Sequence, residues 1–191
     1  GRHQEAHDLA MATARAFGRR WPLLRPPALR TAGFAAAKQG RLDDAEDLLT
    51  EAADTAAELG ETHERARAEQ HLAELHRLRG RTSKARWLAV RALSAFGTVG
   101  DDRGRADALM GLSALHFAER ELEQAQQKAK QALHLFESCG ARFGVASATN
   151  ALGDNLRLQD DLDGAAVAYE RAGTILSSLG SSDRLVPSLN L

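Results

Sequence analysis

Shifted by forty residues, the sequence falls on itself. Ala45, Ala85, Ala125 and Ala165 form one column, and Ala52, Ala92, Ala132 and Ala172 a second. Gly60, Gly100, Gly140 and Gly180 form a third, and Ala28, Ala68, Ala108 and Ala148 a fourth. Unbroken columns at one spacing are hard to produce by chance in 191 residues. A period of this length marks a stack of supersecondary units, each completing its core against the next.

Periodicity within each unit is helical. In the first, Ala28, Leu29, Ala32 and Ala36 make an apolar face, Gly40 ends the helix, and Leu42, Ala45, Leu49, Ala52, Ala56 and Leu59 make the next face before Gly60. The second repeats this with Ala68, Leu72, Ala73 and Leu75, then Gly80, then Ala85, Ala89, Ala92, Phe96 and Val99. The third uses Leu109, Leu112, Ser113 and Leu115, then Leu122, Ala125, Ala129, Ala132 and Phe136. The fourth uses Ala148, Leu152, Gly153 and Leu156, then Leu162, Ala165, Tyr169, Ala172, Leu176 and Leu179. No segment reads as a strand, so the expected class is all-α, built of antiparallel helix pairs. Only 5% of residues are aromatic, which leaves Ala and Leu to fill the core and suits closely packed helices. The column Gly33, Ala73, Ser113, Gly153 is small, as a site of close helix crossing requires; a larger group there should overpack by roughly 1 to 3 kcal/mol.

The flanks are less regular. Residues Gly1 to Gly18 read as one helix with Ala6, Leu9, Ala10, Thr13 and Phe17 on one face, and Gly1-x4-Ala6 echoes Gly40-x4-Ala45. Trp21-Pro22 and Pro26-Pro27 interrupt the pattern, and a helix is expected from about Pro27. The expected layout is a half repeat and Pro-rich turn over 1–26, repeats at 27–60, 61–100, 101–140 and 141–180, and the start of a further repeat over 181–191, where Asn190 falls in the column of Asn150. Both ends then cut through repeats, as in a piece of a longer protein.

Thr149-x2-Leu152-Gly153-x2-Leu156 followed by Ala165-x3-Tyr169-x2-Ala172 resembles the tetratricopeptide repeat. Departures mark a long variety. The usual period is about 34 residues, Ala36, His76, His116 and Leu156 replace the usual first-helix aromatic, Glu69 and Ala32 replace large apolar residues, and the closing Pro is missing. About six extra residues lengthen the helices of a pair by about 9 Å in all. The pattern is similar to repeats of kinesin light chains, polarity adaptors, and the sensor regions of bacterial signalling kinases and ATP-dependent transcription activators. The resemblance implies a right-handed superhelix (an α-solenoid) that binds proteins or peptides in a concave groove lined by the first helices.

Carried onto this sequence, the groove columns are Pro27, Arg67, Asp107, Ser147; Arg30, Gln70, Met110, Asn150; Phe34, Glu74, Ala114, Asp154; and Ala37, Arg77, Phe117, Arg157. They vary while the packing columns do not, as suits either an irregular ligand or an unconstrained solvent face. Phe34, Met110 and Phe117 are larger than a solvated face needs. Arg30, Arg67, Arg77 and Arg157 suit carboxylates or phosphates, and Asn150 suits an extended backbone. Glu74, Asp107 and Asp154 interrupt the basic set, which argues against a simple clamp on a C-terminal carboxylate.

Other constellations carry less. His76 and His116 share a column but lack a recurring carboxylate or thiol, so packing is the expected role rather than metal binding. His3 and His7 have ligand-pair spacing but no third ligand, and solvent exposure is expected of them. Cys139 stands in the column of Leu59, Val99 and Leu179 and reads as a packing residue. Asp160-Asp161-x-Asp163 imitates part of a calcium loop, but Gly40-Arg41-x-Asp43 and Arg120-Glu121-x-Glu123 place it at a hairpin turn. No phosphate-binding Gly loop or nucleophile motif is present.

Net charge is -1, from 25 basic and 26 acidic residues, so no overall field favours nucleic acid or a lipid surface. No apolar run reaches the roughly 18 residues of a membrane helix, and one cysteine fits a reducing, cytoplasmic setting. The expectation is a non-catalytic interaction module of a larger signalling or regulatory protein, without metal or cofactor. The alternatives are an effector-sensing domain controlling an attached kinase or transcription factor, and self-association through the stack ends, where Leu189 lies.

Overall fold

The turn that closes each helix is the repeating local structure. In the computed structural model, a backbone N–H just beyond the helix end reaches back five residues to a carbonyl in the last turn: Arg41 to Ala36, Glu61 to Ala56, Arg81 to His76, Asp101 to Phe96, Glu121 to His116, Ala141 to Phe136 and Asp161 to Leu156, at 2.8–3.0 Å. This is the Schellman bond, which needs a left-handed residue at the intervening position. Gly40, Gly60, Gly80, Gly100 and Gly140 supply it with φ of 68–77°, while Arg120 and Asp160 take the same conformation at φ 63° and 62°. The side chain of Asp161 then accepts the Gly164 N–H at 2.9 Å, which makes the calcium-loop imitation a helix N-cap.

The structure describes residues 2–17 and 21–185, and the side chains of all of these except 2, 3, 6, 14–17 and 181–185. Among the described residues there is no strand. The helices are α1 (Arg2–Phe17), α2 (Arg25–Lys38), α3 (Leu42–Glu58), α4 (Thr62–Leu78), α5 (Thr82–Val99), α6 (Asp102–Ala118), α7 (Leu122–Ser138), α8 (Arg142–Leu158) and α9 (Leu162–Leu185), with a 3-10 turn at Pro22–Leu24. The architecture is an all-α helical repeat of the α-solenoid class. The chain divides into two compact units, Gly1–Gly104 and Arg105–Leu191.

In the first unit α1 packs on α2, α2 on α3, α3 on α4 and α4 on α5. Its core is small: Ala32, Ala36, Ala45, Ala52, Ala56, Ala66, Ala68, Ala85 and Ala92 are wholly buried around Leu49, Leu75 and Phe96. The close-crossing column behaves as its composition demands. A Cβ on Gly33 would stand 2.8 Å from Leu49 Cγ. Phe96 also needs a glycine, because a Cβ on Gly104 would meet its ring at 2.5 Å. In the second unit α7 packs on α8 and α8 on α9, with Ala125, Ala129, Ala132, Phe136, Ala146 and Ala148 buried. The hydroxyl of Ser113 donates to the Ala125 carbonyl at 2.8 Å, tying α6 to α7 where its column faces a helix backbone.

Several expectations change. The second helix starts at Arg25, not Pro27, because Pro26 and Pro27 sit in its first turn, where a missing N–H costs no bond. Gly180 does not close a helix, since α9 continues through it to Leu185; Leu189 and Asn190 lie outside the described residues. Of the apolar residues on one face of α1, Leu9 is exposed and Ala10 is buried. Val99, Leu162 and Leu176, read as apolar-face residues, are also exposed, because they sit at helix ends or on the outer side of α9. Cys139 is exposed too. It caps α7 and points its Sγ back to the Phe136 carbonyl, away from the core.

Candidate first-helix binding faces

Helix packing offsets the partners across neighbouring repeats. Side-chain hydrogen bonds between adjacent repeats join residues 33–38 apart in sequence: Arg79 to Glu46, Arg30 to Glu64, Arg81 to Glu46, Arg79 to Asp43 and His63 to Asp101. Columns at forty identify equivalent positions. Contacts run diagonally between them.

In the first unit the face carried by α2 and α4 is organised by Phe34. This ring is 39% exposed. It meets His71 at 5.1 Å between centroids, and Lys38 Nζ stands 5.2 Å from its centre. Burial, then the charges of Arg30, Arg67 and Lys38, pushes His71 down to about 4, so its ring is neutral at pH 7. Arg30 is half-buried and donates from Nε to Glu64 at 3.0 Å. Arg67 and Gln70 are half-buried on α4. Arg77 bonds Glu74 twice, at 2.7 and 2.6 Å, which keeps its guanidinium firmly charged. Phe34 and His71 thus form one aromatic pair, with Lys38 beside Phe34 and the charges of Arg30 and Arg67 acting on His71, while Gln70 and the Glu74-bound Arg77 lie elsewhere along α4.

His71 and Glu64 were missed. Both were invisible to columns that compare equivalent positions, since Phe34 meets His71 rather than its column mate Glu74, and Arg30 meets Glu64 rather than Gln70. The signal that finds them is the diagonal offset between adjacent helices.

The second unit carries the remaining candidates on α6 and α8. Met110 and Phe117 are half-buried, and Asn150 and Arg157 are exposed. Asp154 is engaged internally. It accepts the Tyr169 hydroxyl at 2.8 Å, and Asn150 Nδ2 lies 3.5 Å from its other oxygen. Burial and then the bond to Asp154 raise the Tyr169 phenol, while a hydrogen bond with Arg157 opposes them. Asp154, Arg157 and Tyr169 thus form one polar network, with Asn150 at its edge.

The histidine readings change as well. His7 is half-buried, its Nδ1 3.2 Å from the Ala32 carbonyl, because α1 packs on α2 there; His3's side chain lies outside the described residues. Carboxylates do stand beside both column histidines. Glu46 Oε1 is 3.8 Å from His76 Nε2, and Glu121 bonds His116 Nδ1 across the hairpin turn. His116, Glu119 and Glu121 place one ligand atom each within 4.8 Å of one another. The turn between α6 and α7 brings these carboxylates back to His116, a proximity that spacing along a single helix did not show. No helix among the described residues is long and apolar enough to cross a membrane.

No protein-family model matches the chain, and no curated protein matches it in sequence. Solved structures match in fold. BtubC (BKLC) from P. vanneervenii is similar with a TM-score of 0.77 at 18% identity, over 94% of this chain and 75% of that one. A Rap protein complexed with Competence and Sporulation Factor gives 0.75 at 16% identity, over 80% of this chain and 43% of that one. A putative kinesin light chain from Podosopora anserina, described by its nearly identical TPR-like repeats, gives 0.67 at 14% identity, over 94% and 89%.

Proposed function

We propose that this tetratricopeptide-type repeat domain is a non-catalytic interaction module that takes a peptide or protein segment on its first helices. The observation that carries the reading is Phe34. A large aromatic ring is left 39% exposed on a helix face, backed by a neutral imidazole and surrounded by Arg30, Lys38 and Arg67. Such a surface offers an apolar contact within a cationic rim, which suits a segment carrying one apolar side chain beside acidic ones. In the second unit Met110, Phe117, Asn150 and Arg157 supply the corresponding apolar and polar groups. The similarity in fold to a Rap protein crystallised with a bound factor supports a partner-binding role. A larger, cytoplasmic regulatory parent is the setting such a module fits.

Binding to an array of acidic peptides with a single apolar residue tests this. Phe34→Ala and Arg67→Gln are expected to weaken the best binders about tenfold or more, a loss of about 1.4 kcal/mol, with helicity and melting unchanged. Equal binding by both variants overturns the reading.

A further inference from the structure

Between α3, α4 and α5 the first unit contains a cleft of about 190 Å³ whose lining includes neither Phe34 nor His71. Its floor is His76, completely buried, with neither ring nitrogen hydrogen-bonded. The nearest carboxylate oxygen, on Glu46, is 3.8 Å away, too far for a hydrogen bond. Burial, then the charge of Lys84, holds His76 below the usual imidazole range, so at pH 7 it offers one N–H and one lone pair. Buried polar atoms are nearly always paired, and each one left unpaired costs about 1 to 3 kcal/mol.

The cleft is also short of negative charge. Arg65 Nε and Arg91 Nη2 converge on a single oxygen of Glu69, at 2.8 and 2.7 Å. Lys84 approaches Glu46 only to 3.6 Å, and Glu46 already serves Arg79 and Arg81. Against these three cations the lining sets Glu69 and, on α3, Asp54. Leu72, Leu88 and the half-exposed Trp87 give the cleft an apolar side, with the Arg91 guanidinium 4.3 Å from the Trp87 ring. At about 30 Å³ per water, the space holds about six waters, or an acid of a few heavy atoms.

We infer that this cleft binds a small carboxylate, its charge met by Lys84, Arg65 and Arg91 and one oxygen hydrogen-bonded by His76. The apolar body of the acid lies against Leu72, Leu88 and Trp87. This site is separate from the first-helix face and independent of the reading proposed for it.

The test follows the His76 imidazole and Trp87 indole signals by NMR in the whole chain at constant ionic strength. Acetate and propionate represent a free acid, N-acetyl-dialanine a peptide terminus, and chloride and phosphate serve as comparison anions. Saturable shifts with a Kd on the order of millimolar for a carboxylate, absent with chloride and weaker with phosphate, are expected, and the tighter carboxylate names the source. Lys84→Gln, at an exposed position, should weaken binding severalfold without changing the melting temperature, and His76→Gln should weaken it further if folded. Shifts that are absent, or equal for chloride or phosphate, overturn the inference and leave a cleft that holds water or anions indiscriminately.

Discussion

Gly33 and Leu49 share one packing hole: a Cβ on the first would stand 2.8 Å from Cγ of the second. The same relationship recurs between Gly153 and Tyr169, where a Cβ would lie 2.7 Å from Cε1. In the intervening repeats the column pairs are Ala73 with Ala89 and Ser113 with Ala129, all buried. Volume is exchanged across the crossing, so that a glycine on one helix accompanies a large side chain on the other.

Gly33→Ala should therefore destabilise the protein by about 1 to 3 kcal/mol in urea unfolding. In a Leu49→Ala background the same change should be neutral or stabilising, because the hole is empty and Ala exceeds Gly in helix propensity by about 1 kcal/mol. An equal cost in both backgrounds would show that the crossing is not set by this pair.

His71 should make the fold acid-sensitive. Its folded value of about 4 lies below the unfolded value near 6.5, so the unfolded chain binds the extra proton first. The contribution is present above pH 6.5 and is lost as pH falls toward 4, to the extent of about 2 to 3 kcal/mol. Urea midpoints measured from pH 7 to pH 4.5 should fall less steeply in His71→Gln than in the parent.

Arg120 and Asp160 occupy left-handed turn positions that Gly40 and Gly80 fill elsewhere. Arg120→Gly should raise stability by about 0.5 to 1 kcal/mol, visible as a higher melting temperature, since relief of backbone strain exceeds the added freedom of the unfolded chain. Asp160→Gly should gain less, because Asp tolerates this conformation better than Arg.

Glu69 stands where Leu29 and Leu109 stand in neighbouring repeats, and all three are buried. Glu69→Leu should hold stability within about 1 kcal/mol of the parent, since Arg65 and Arg91 are both partly exposed and can turn to water. Glu69→Ala should cost about 2 to 3 kcal/mol more than Glu69→Leu, through the cavity it leaves. Chemical denaturation of the two variants side by side distinguishes a packing position from one that requires the charge.

The sequence by itself determined the helix pairs, their turns and the small-residue crossings, because these depend on local periodicity, on the left-handed residue after each helix and on side-chain volume at equivalent positions. It also pointed to Arg30, Phe34, Arg67, Gln70 and Arg77 as binding candidates on the first helices α2 and α4. Only the tertiary structure decided what those residues touch. Neighbouring helices meet diagonally, so His71 rather than Glu74 backs Phe34, Glu64 rather than Gln70 pairs with Arg30, and Tyr169 engages Asp154. The His76 cleft was likewise hidden, since it is assembled from three helices and its chemistry lies in bonds that His76 does not make within the chain. A forty-residue register shows which positions are equivalent; the angle and offset at which helices pack decide which side chains meet.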